Sequence, residues 1–199
     1  MVLAAGEARR MGRNKLLEEV AGKPMLRHVA EAALASKAAS VVVVTGNQAD
    51  KIRAMLSPLP LTFRHNPDYS KGLASSLNCG VKALAADIEG AVILLGDMPG
   101  INAGLIDRLI EAFDPVARRA IIVPFRDGKR GNPVLWARRF FAEMGNLAGD
   151  QGARSLFGHY PDLTFEVEAE DDAPLTDIDT EEALTAYRTQ GLKQRSDRP

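Results

Sequence analysis

Three short runs of aliphatic and β-branched residues, 41–45 (Val-Val-Val-Val-Thr), 91–95 (Ala-Val-Ile-Leu-Leu) and 120–123 (Ala-Ile-Ile-Val), punctuate the chain. Between and beside them lie stretches 25–36, 52–57 and 105–113, whose apolar residues return every three or four positions. The first pattern is that of fully buried strands and the second that of amphipathic helices, so the order reads as repeated strand–helix–strand units. Strands with no polar face must bury both sides, which a parallel sheet covered by helices on each face accomplishes. The expectation is an α/β protein, three-layer and Rossmann-like, with a mostly parallel sheet. After Val123 the pattern loosens into a polar turn at 126–133, a short strand at 134–136, helical stretches and a strand near 164–167, which predicts a mixed sheet edge or a subdomain. Two helix starts are legible: Asn102 precedes an apolar-periodic stretch, and Asp179 is followed three residues later by Glu182, the spacing of a capping box. No internal repeat or linker divides the chain, so residues 1–191 are expected to form one domain, with 192–199 a flexible polar tail.

A chain of 199 residues is long enough to bury about 70% of the surface its unfolded form exposes, so no staple is needed. Cys79 is the single cysteine, which excludes an internal disulfide and a cysteine-rich zinc module and points to a reducing, cytoplasmic setting. With 25 Lys and Arg against 26 Asp and Glu there is no global basic field, and nucleic acid is not an expected partner. The apolar runs at 41–44 and 91–95 fall far below the roughly 20 residues of a membrane-spanning helix, and the first residues carry neither a basic segment nor an extended apolar one. A membrane location and a secretory leader are therefore not expected.

Open α/β sheets bind ligands beyond the carboxyl ends of their strands, so the residues just past the apolar runs matter most. At the start, Leu3-Ala4-Ala5-Gly6 leads into a loop of small residues with four basic side chains, Arg9, Arg10, Arg13 and Lys15. Small residues let backbone N–H groups approach an anion, and Arg10 or Lys15 could neutralise a polyphosphate. Neither the Gly-x4-Gly-Lys-Ser/Thr nor the Gly-x-Gly-x-x-Gly spacing is present, so a phosphate site and a solvated basic loop both remain open on these residues alone. Asp97 follows the run 91–95 directly and precedes Pro99; it reads either as a turn residue or as a metal ligand. A divalent cation between Asp97 and polyphosphate oxygens would satisfy the carboxylate and the basic loop together. Asp177 and Asp179 stand at the start of the last helix, where Asp179 suits an N-cap as well as a metal.

In order along the chain, Leu3-Ala4-Ala5-Gly6, Arg10-Met11-Gly12, Lys15, His65-Asn66-Pro67-Asp68-Tyr69, Gly72-Leu73-Ala74-Ser75-Ser76-Leu77, Leu94-Leu95-Gly96-Asp97-Met98-Pro99 and Asp177-Ile178-Asp179-Thr180 resemble the MobA-like nucleotidyltransferases. The resemblance covers nearly the whole chain. The Ala-Ala-Gly start, Arg130-Gly131-Asn132-Pro133 and Gly149-Asp150-Gln151-Gly152-Ala153-Arg154 are most similar to the molybdenum cofactor cytidylyltransferase branch. What this implies is a nucleotide-diphospho-sugar transferase-like fold and transfer of CMP from CTP to a phosphate of an acceptor, molybdopterin or molybdenum cofactor. Pyrophosphate is released, Mg²⁺ is the cofactor, and a molybdenum enzyme is a possible partner. Carried onto this sequence, the resemblance makes Arg10, Lys15 and Asp97 catalytic, and Leu3, Ala4, Ala5, Gly6, Arg10, Lys15, Gly72, Ser75 and Ser76 nucleotide-binding. Asn132 and Arg154 become acceptor-binding, and Asp97 and Asp179 become metal ligands, with Asp177 the less favoured third candidate.

Two departures from the family stand out. Ala8 occupies a position where relatives commonly carry Ser, which removes one side-chain contact to phosphate, and Leu3 comes two residues after the first residue, so either an upstream start or an unusually short first strand is expected. His28, His65 and His159 have no metal-ligand spacing, Cys79 reads as packing, and Arg138-Arg139 reads as a solvated helix face. Guanylyl transfer to the same cofactor, cytidylyl transfer to a polyol or sugar phosphate, and a silent nucleotide-binding cofactor chaperone are the competing readings. The joint presence of Arg10, Lys15, Asp97 and Asp179 argues against the last.

Overall fold

The computed structural model describes residues 1–7 and 12–196, with side chains as far as Thr189. In chain order the strands are β1 (Val2–Ala4), β2 (Glu19–Val20), β3 (Lys23–Pro24), β4 (Val42–Thr45), β5 (Thr62–His65), β6 (Gly90–Leu95), β7 (Ile121–Arg126), β8 (Lys129–Arg130), β9 (Val134–Ala137) and β10 (Thr164–Glu168). The helices are α1 (Met25–Leu34), α2 (Ala49–Leu56), α3 (Leu73–Val81), α4 (Ala103–Ala112), α5 (Phe141–Met144) and α6 (Glu181–Ser196). One large sheet runs in the order β10-β7-β9-β6-β1-β4-β5, with β8 hydrogen-bonded to β7, while β2 and β3 form a separate hairpin.

The expected strands and helices are present, and the pleat explains why both faces are apolar. Along β1 and β6, Val2, Ala4, Val92 and Leu94 join one buried cluster with Leu26 and Val29 of α1, Ile52 of α2 and Leu109 of α4. Leu3, Ala5, Ala91 and Ile93 join the opposite cluster with Leu77 of α3 and Phe141 and Met144 of α5. Period-two alternation thus feeds two cores, one on each side of the sheet.

The sheet is parallel at β1/β4, β1/β6, β4/β5 and β7/β10. The mixed edge expected after Val123 is present, with β10 as the outer strand, but β9 lies inside the sheet, antiparallel to both β6 and β7. The reason is the connection: residues 127–133 are too few for a crossover helix, so the chain can only turn back beside β7. Asn102 caps α4 as expected, its side-chain oxygen accepting the Leu105 N–H at 2.9 Å. The last helix begins one residue later than the capping-box reading requires. Thr180, not Asp179, is its cap, with the hydroxyl accepting the Ala183 N–H at 3.2 Å and the carbonyl accepting the Leu184 N–H. Backbone of α6 is followed to Ser196, into the segment expected to be a polar tail.

Candidate active site

The carboxyl ends of β1 and β6 meet side by side, Leu3 opposite Leu95, and Gly96 continues the contact by donating its N–H to the Leu3 carbonyl at 3.0 Å. A Cβ at residue 96 would press on that carbonyl and on Leu26 Cδ1 at 3.0 Å each, so glycine eases the close passage that delivers Asp97 to the sheet edge. Opposite it, Asn14 caps a 3₁₀ turn at 15–17 by accepting the Leu16 N–H at 3.2 Å. Leu16 anchors the turn in the core, and Lys15 points the other way, toward Asp97.

Lys15 Nζ lies 2.7 Å from Asp97 Oδ2 and also donates to Asp179 Oδ1. Its side chain is 13% exposed, that of Asp97 is 19% exposed and that of Asp179 is 38% exposed. Burial by itself would depress the Lys15 ammonium, but the Asp97 charge and the hydrogen bonds it donates to both carboxylates outweigh it, and its pKa lies above the ordinary lysine value. Asp179 is brought there by its neighbour. Ile178 donates its N–H to the Asp97 carbonyl at 3.1 Å and buries its side chain among Val20, Met25 and Leu184, so the start of α6 is pinned to the end of β6. Asp177, two residues earlier, is exposed.

The cluster opens onto a cavity of about 440 Å³. Leu3, Ala5 and Gly6 wall it from β1, and Tyr69, Gly72 and Ser76 from the start of α3. Gly72 has φ +100° and ψ −179°, a conformation closed to residues with a Cβ, and a Cβ there would lie 2.4 Å from the Gly149 carbonyl. The loop at 149–154 therefore rests directly on the head of α3, where the Ala74 N–H donates to the Gly149 carbonyl at 3.0 Å.

Most of the nucleotide-binding residues expected from sequence converge on this cavity: Leu3, Ala5, Gly6, Lys15, Gly72 and Ser76 line it, as does Asp97, expected as a catalytic residue and metal ligand. Three do not join them. Ala4 directs its side chain into the core beneath α1 and α2. Ser75 lies on the far side of α3, lining a separate hollow of about 450 Å³, where its hydroxyl meets the Asp68 carbonyl at 2.9 Å, the Gly72 carbonyl at 2.8 Å and the Asn66 amide at 2.9 Å. Arg10, with Ala8, lies outside the described residues. Asn132 and Arg154 share a small apolar cleft of about 60 Å³ that has Leu3, Leu73 and Leu95 in common with the main cavity, and the Arg154 guanidinium donates to the Arg130 carbonyl. Sequence reasoning assigned no role to Tyr69 or Asp150, which also line the cavity, although both fall in the motifs that carried the family resemblance.

Residues read as structural behave so. His28 contacts the Val20 carbonyl at 2.7 Å, and burial pushes the Cys79 thiol up, away from nucleophilic character. Among the described residues no cluster of three or more His, Cys, Asp or Glu is arranged for a metal. The Asp97–Asp179 pair nonetheless fits a hard divalent cation, because it offers oxygen donors and because Asp97 Oδ1 is buried with no hydrogen-bond partner among the described residues. The described helices include none long and apolar enough to cross a membrane.

The MobA-like NTP transferase domain model matches residues 1–163. Asp179 lies beyond that range. Nicotine blue oxidoreductase of Paenarthrobacter nicotinovorans is 30% identical over 192 residues, 92% of this chain and 93% of that protein. Purine catabolism protein PucB of Bacillus subtilis is 31% identical over 195 residues, 94% of this chain and 93% of that protein. Rv0371c from Mycobacterium tuberculosis H37Rv superposes with TM-score 0.84 at 26% identity, over 94% of this chain and 95% of that one, and a further structure holds it in complex with manganese. Two more distant structures share the fold. They are molybdopterin-guanine dinucleotide biosynthesis protein A from Archaeoglobus fulgidus (TM-score 0.72, 15% identity, 96% of this chain and 97% of that one) and CMP:2-keto-3-deoxy-manno-octonic acid synthetase complexed with CTP (TM-score 0.72, 16% identity, 97% of each). The architecture is that of the nucleotide-diphospho-sugar transferases.

Proposed function

The chain belongs to the MobA-like NTP transferase family, and from that premise we propose that it transfers CMP from CTP to a phosphate of molybdopterin or molybdenum cofactor, releasing pyrophosphate. The observation that carries the reading is the Asp97–Lys15–Asp179 cluster opening onto a cavity of about 440 Å³ at the end of β1 and β6. A cavity of that size suits a nucleotide.

In the reaction an oxygen of the acceptor phosphate bonds to the α-phosphorus, and the bond from that phosphorus to the β-phosphate bridging oxygen breaks. Little covalent chemistry is asked of the protein; aligning two anions and offsetting their charge is most of the task. Asp97 and Asp179 are anionic groups beside the place proposed for the phosphates, so a cation between them and the phosphate oxygens would offset their repulsion. Asp97 and Asp179 would hold Mg²⁺, which supplies charge neutralisation at the phosphates. Lys15, with Arg10 from the preceding loop, binds the triphosphate. At Gly6 nothing among the described residues stands within 4 Å of where a Cβ would be, which suits an approach of phosphate oxygens to the backbone. Gly72 and Ser76 face the base, and Asn132 with Arg154 borders the acceptor's path from the small cleft.

The preference for cytidine rests on the Ala4-Ala5-Gly6 turn, which resembles cytidylyl-transferring relatives more than the Gly-Gly loop usual for guanylyl transfer. The relative named nicotine blue oxidoreductase raises a second reading, hydride transfer, although the Gly-x-Gly-x-x-Gly dinucleotide turn is absent from this sequence. The test is pyrophosphate release from each nucleoside triphosphate, with and without molybdopterin and Mg²⁺, beside an assay for NADPH oxidation. Release with CTP that depends on molybdopterin is expected. A preference for GTP overturns the base assignment, and NADPH turnover without pyrophosphate release from any nucleotide overturns the transferase reading.

A further inference from the structure

We propose that Asn66 is a positioning residue for nucleotide recognition: by donating to the Ser76 hydroxyl it turns the hydroxyl proton toward the main cavity, where the proton meets a hydrogen-bond acceptor on the base of the bound nucleotide. The inference rests on the transferase reading for its nucleotide, and on the hydrogen bonds around Ser76 for the direction of the proton.

Asn66 directly follows β5 and is buried, with its backbone N–H tied to the Thr45 carbonyl at the end of β4 at 2.7 Å. Its side-chain oxygen accepts the Asp68 N–H at 3.0 Å. A backbone N–H can only donate, so this contact fixes which end of the amide is oxygen and sends the nitrogen toward α3. There the amide nitrogen donates to two hydroxyls, Ser75 at 2.9 Å and Ser76 at 3.1 Å. Ser75 passes its own proton to the protein, since the Asp68 carbonyl lies 2.9 Å away and the Gly72 carbonyl 2.8 Å. Ser76 has no such outlet. A helical serine can bond back to the carbonyl four residues earlier, here Gly72. That carbonyl already takes the Ser75 N–H at 3.2 Å and faces the Ser75 hydroxyl. Among the described residues the Ser76 hydroxyl has no hydrogen-bond partner other than Asn66, yet it is only 5% exposed and lines the main cavity. Its proton is therefore left for whatever fills the cavity, and a ligand that only donated there would leave a nearly buried donor unpaired. A base with an acceptor at that point satisfies it; cytosine carries two on one edge, O2 and N3.

The test is a double-mutant cycle read as the dissociation constant for CTP in the presence of Mg²⁺, measured by titration calorimetry, so the readout does not depend on turnover. Asn66→Asp keeps the shape of the side chain and the oxygen facing the Asp68 N–H, but it puts an acceptor where the amide donor was. Ser76 then donates to residue 66 and its proton turns away from the cavity. Ser76→Ala and Asn66→Asp should each weaken CTP binding about two- to tenfold, the range for one neutral hydrogen bond. In the Ser76→Ala background most of the Asn66→Asp effect should vanish, because no proton remains to be turned; any remainder reports the added charge, which the cycle subtracts. Asn66→Ala adds no charge and is the second variant, so the result does not hang on how well a buried carboxylate folds. It should weaken CTP binding less than Asn66→Asp does, since the hydroxyl is freed rather than turned away, and again only where Ser76 is present. A merely structural role for Asn66 weakens binding equally with and without Ser76, and that result in both cycles overturns the proposal, as does wild-type affinity in both Asn66 variants. Failure of the transferase reading looks different: CTP binds with the coupling intact, yet no pyrophosphate is released from any nucleotide. A wild-type protein that binds no nucleotide overturns both.

Discussion

Asp97→Asn separates the charge of the central carboxylate from its shape. The backbone around it is untouched by the change, since the Asp97 carbonyl still accepts from Ile178 and Gly96 still fits against Leu3. At the side chain, the ion-paired contact from Lys15 at 2.7 Å becomes a bond to a neutral amide oxygen. Exchanging a hydrogen bond to a charged group, worth about 1.5–3 kcal/mol, for a neutral one of about 0.5–1.5 kcal/mol costs about 1–1.5 kcal/mol of stability. In a chain of this size that lowers the melting temperature by about 2–6 °C, well short of unfolding at 25 °C. Turnover should suffer far more. An amide is a poor ligand for a hard divalent ion, and loss of one electrostatic stabiliser of the transition state typically costs about 100- to 1000-fold in rate. The assay is Mg²⁺-dependent pyrophosphate release from CTP, with circular dichroism and a melting curve on the same sample. Turnover within a few-fold of wild type at low Mg²⁺, in a variant whose melt shows the small expected shift, refutes the metal-centred reasoning and returns Asp97 to the role of a turn residue.

Other outcomes follow from the same geometry. Lys15→Ala should raise the dissociation constant for CTP and lower turnover by an amount corresponding to about 1.5–3 kcal/mol, the range for a hydrogen bond to a charged group; wild-type kinetics would remove Lys15 from the phosphate site. Thr180→Ala should lower stability by about 0.5–1 kcal/mol through loss of the α6 cap with little effect on turnover, whereas Asp179→Asn should lower turnover with the cap intact, and the reverse pattern in melts and rates would put the cap back at Asp179. Ser76→Ala should weaken nucleotide binding measured by titration calorimetry while Ser75→Ala leaves it unchanged, because only Ser76 lines the main cavity; equal effects would show that the far side of α3 also reads the nucleotide.

The parts of the site legible in the sequence were those in which chemistry and local pattern coincide. Asp97 stands out because it ends an apolar run that must be a central strand, and Lys15 because it closes a basic loop after another strand. Neither signal reports what the two residues do to each other. They lie 82 positions apart, and Lys15 lies 164 from Asp179, so their meeting depends on β1 and β6 pairing and on α6 returning to the same edge. Adjacent helix positions defeated the reading of Ser75 and Ser76 for a similar reason: neighbours on a helix point about 100° apart, so one faces the cavity and the other the hollow behind it. The interior place of β9 was hidden because its apolar residues 134–136 would suit either an edge or a centre, and only the length of the preceding turn decides the direction of pairing.

Asp179 shows how a binding residue and a structural one can be confused. Its spacing to Glu182 is that of a capping box, but the cap itself is the hydroxyl of Thr180, one position on, with the Ala183 N–H as its donor. With Thr180 as the cap, the Asp179 carboxylate accepts from Lys15. What places it is an apolar residue: Ile178 is buried with Val20, Met25 and Leu184, and its N–H is fixed to the Asp97 carbonyl. An extended chain alternates its side chains, so burying Ile178 commits its neighbours to the other side. The second carboxylate of the site is thus set by packing between α6 and the β2–β3 hairpin, in a segment that lies past residue 163, where the family model ends. Loosening that packing, rather than altering the acid, should move Asp179 away from Asp97 and so reach the site from its far side.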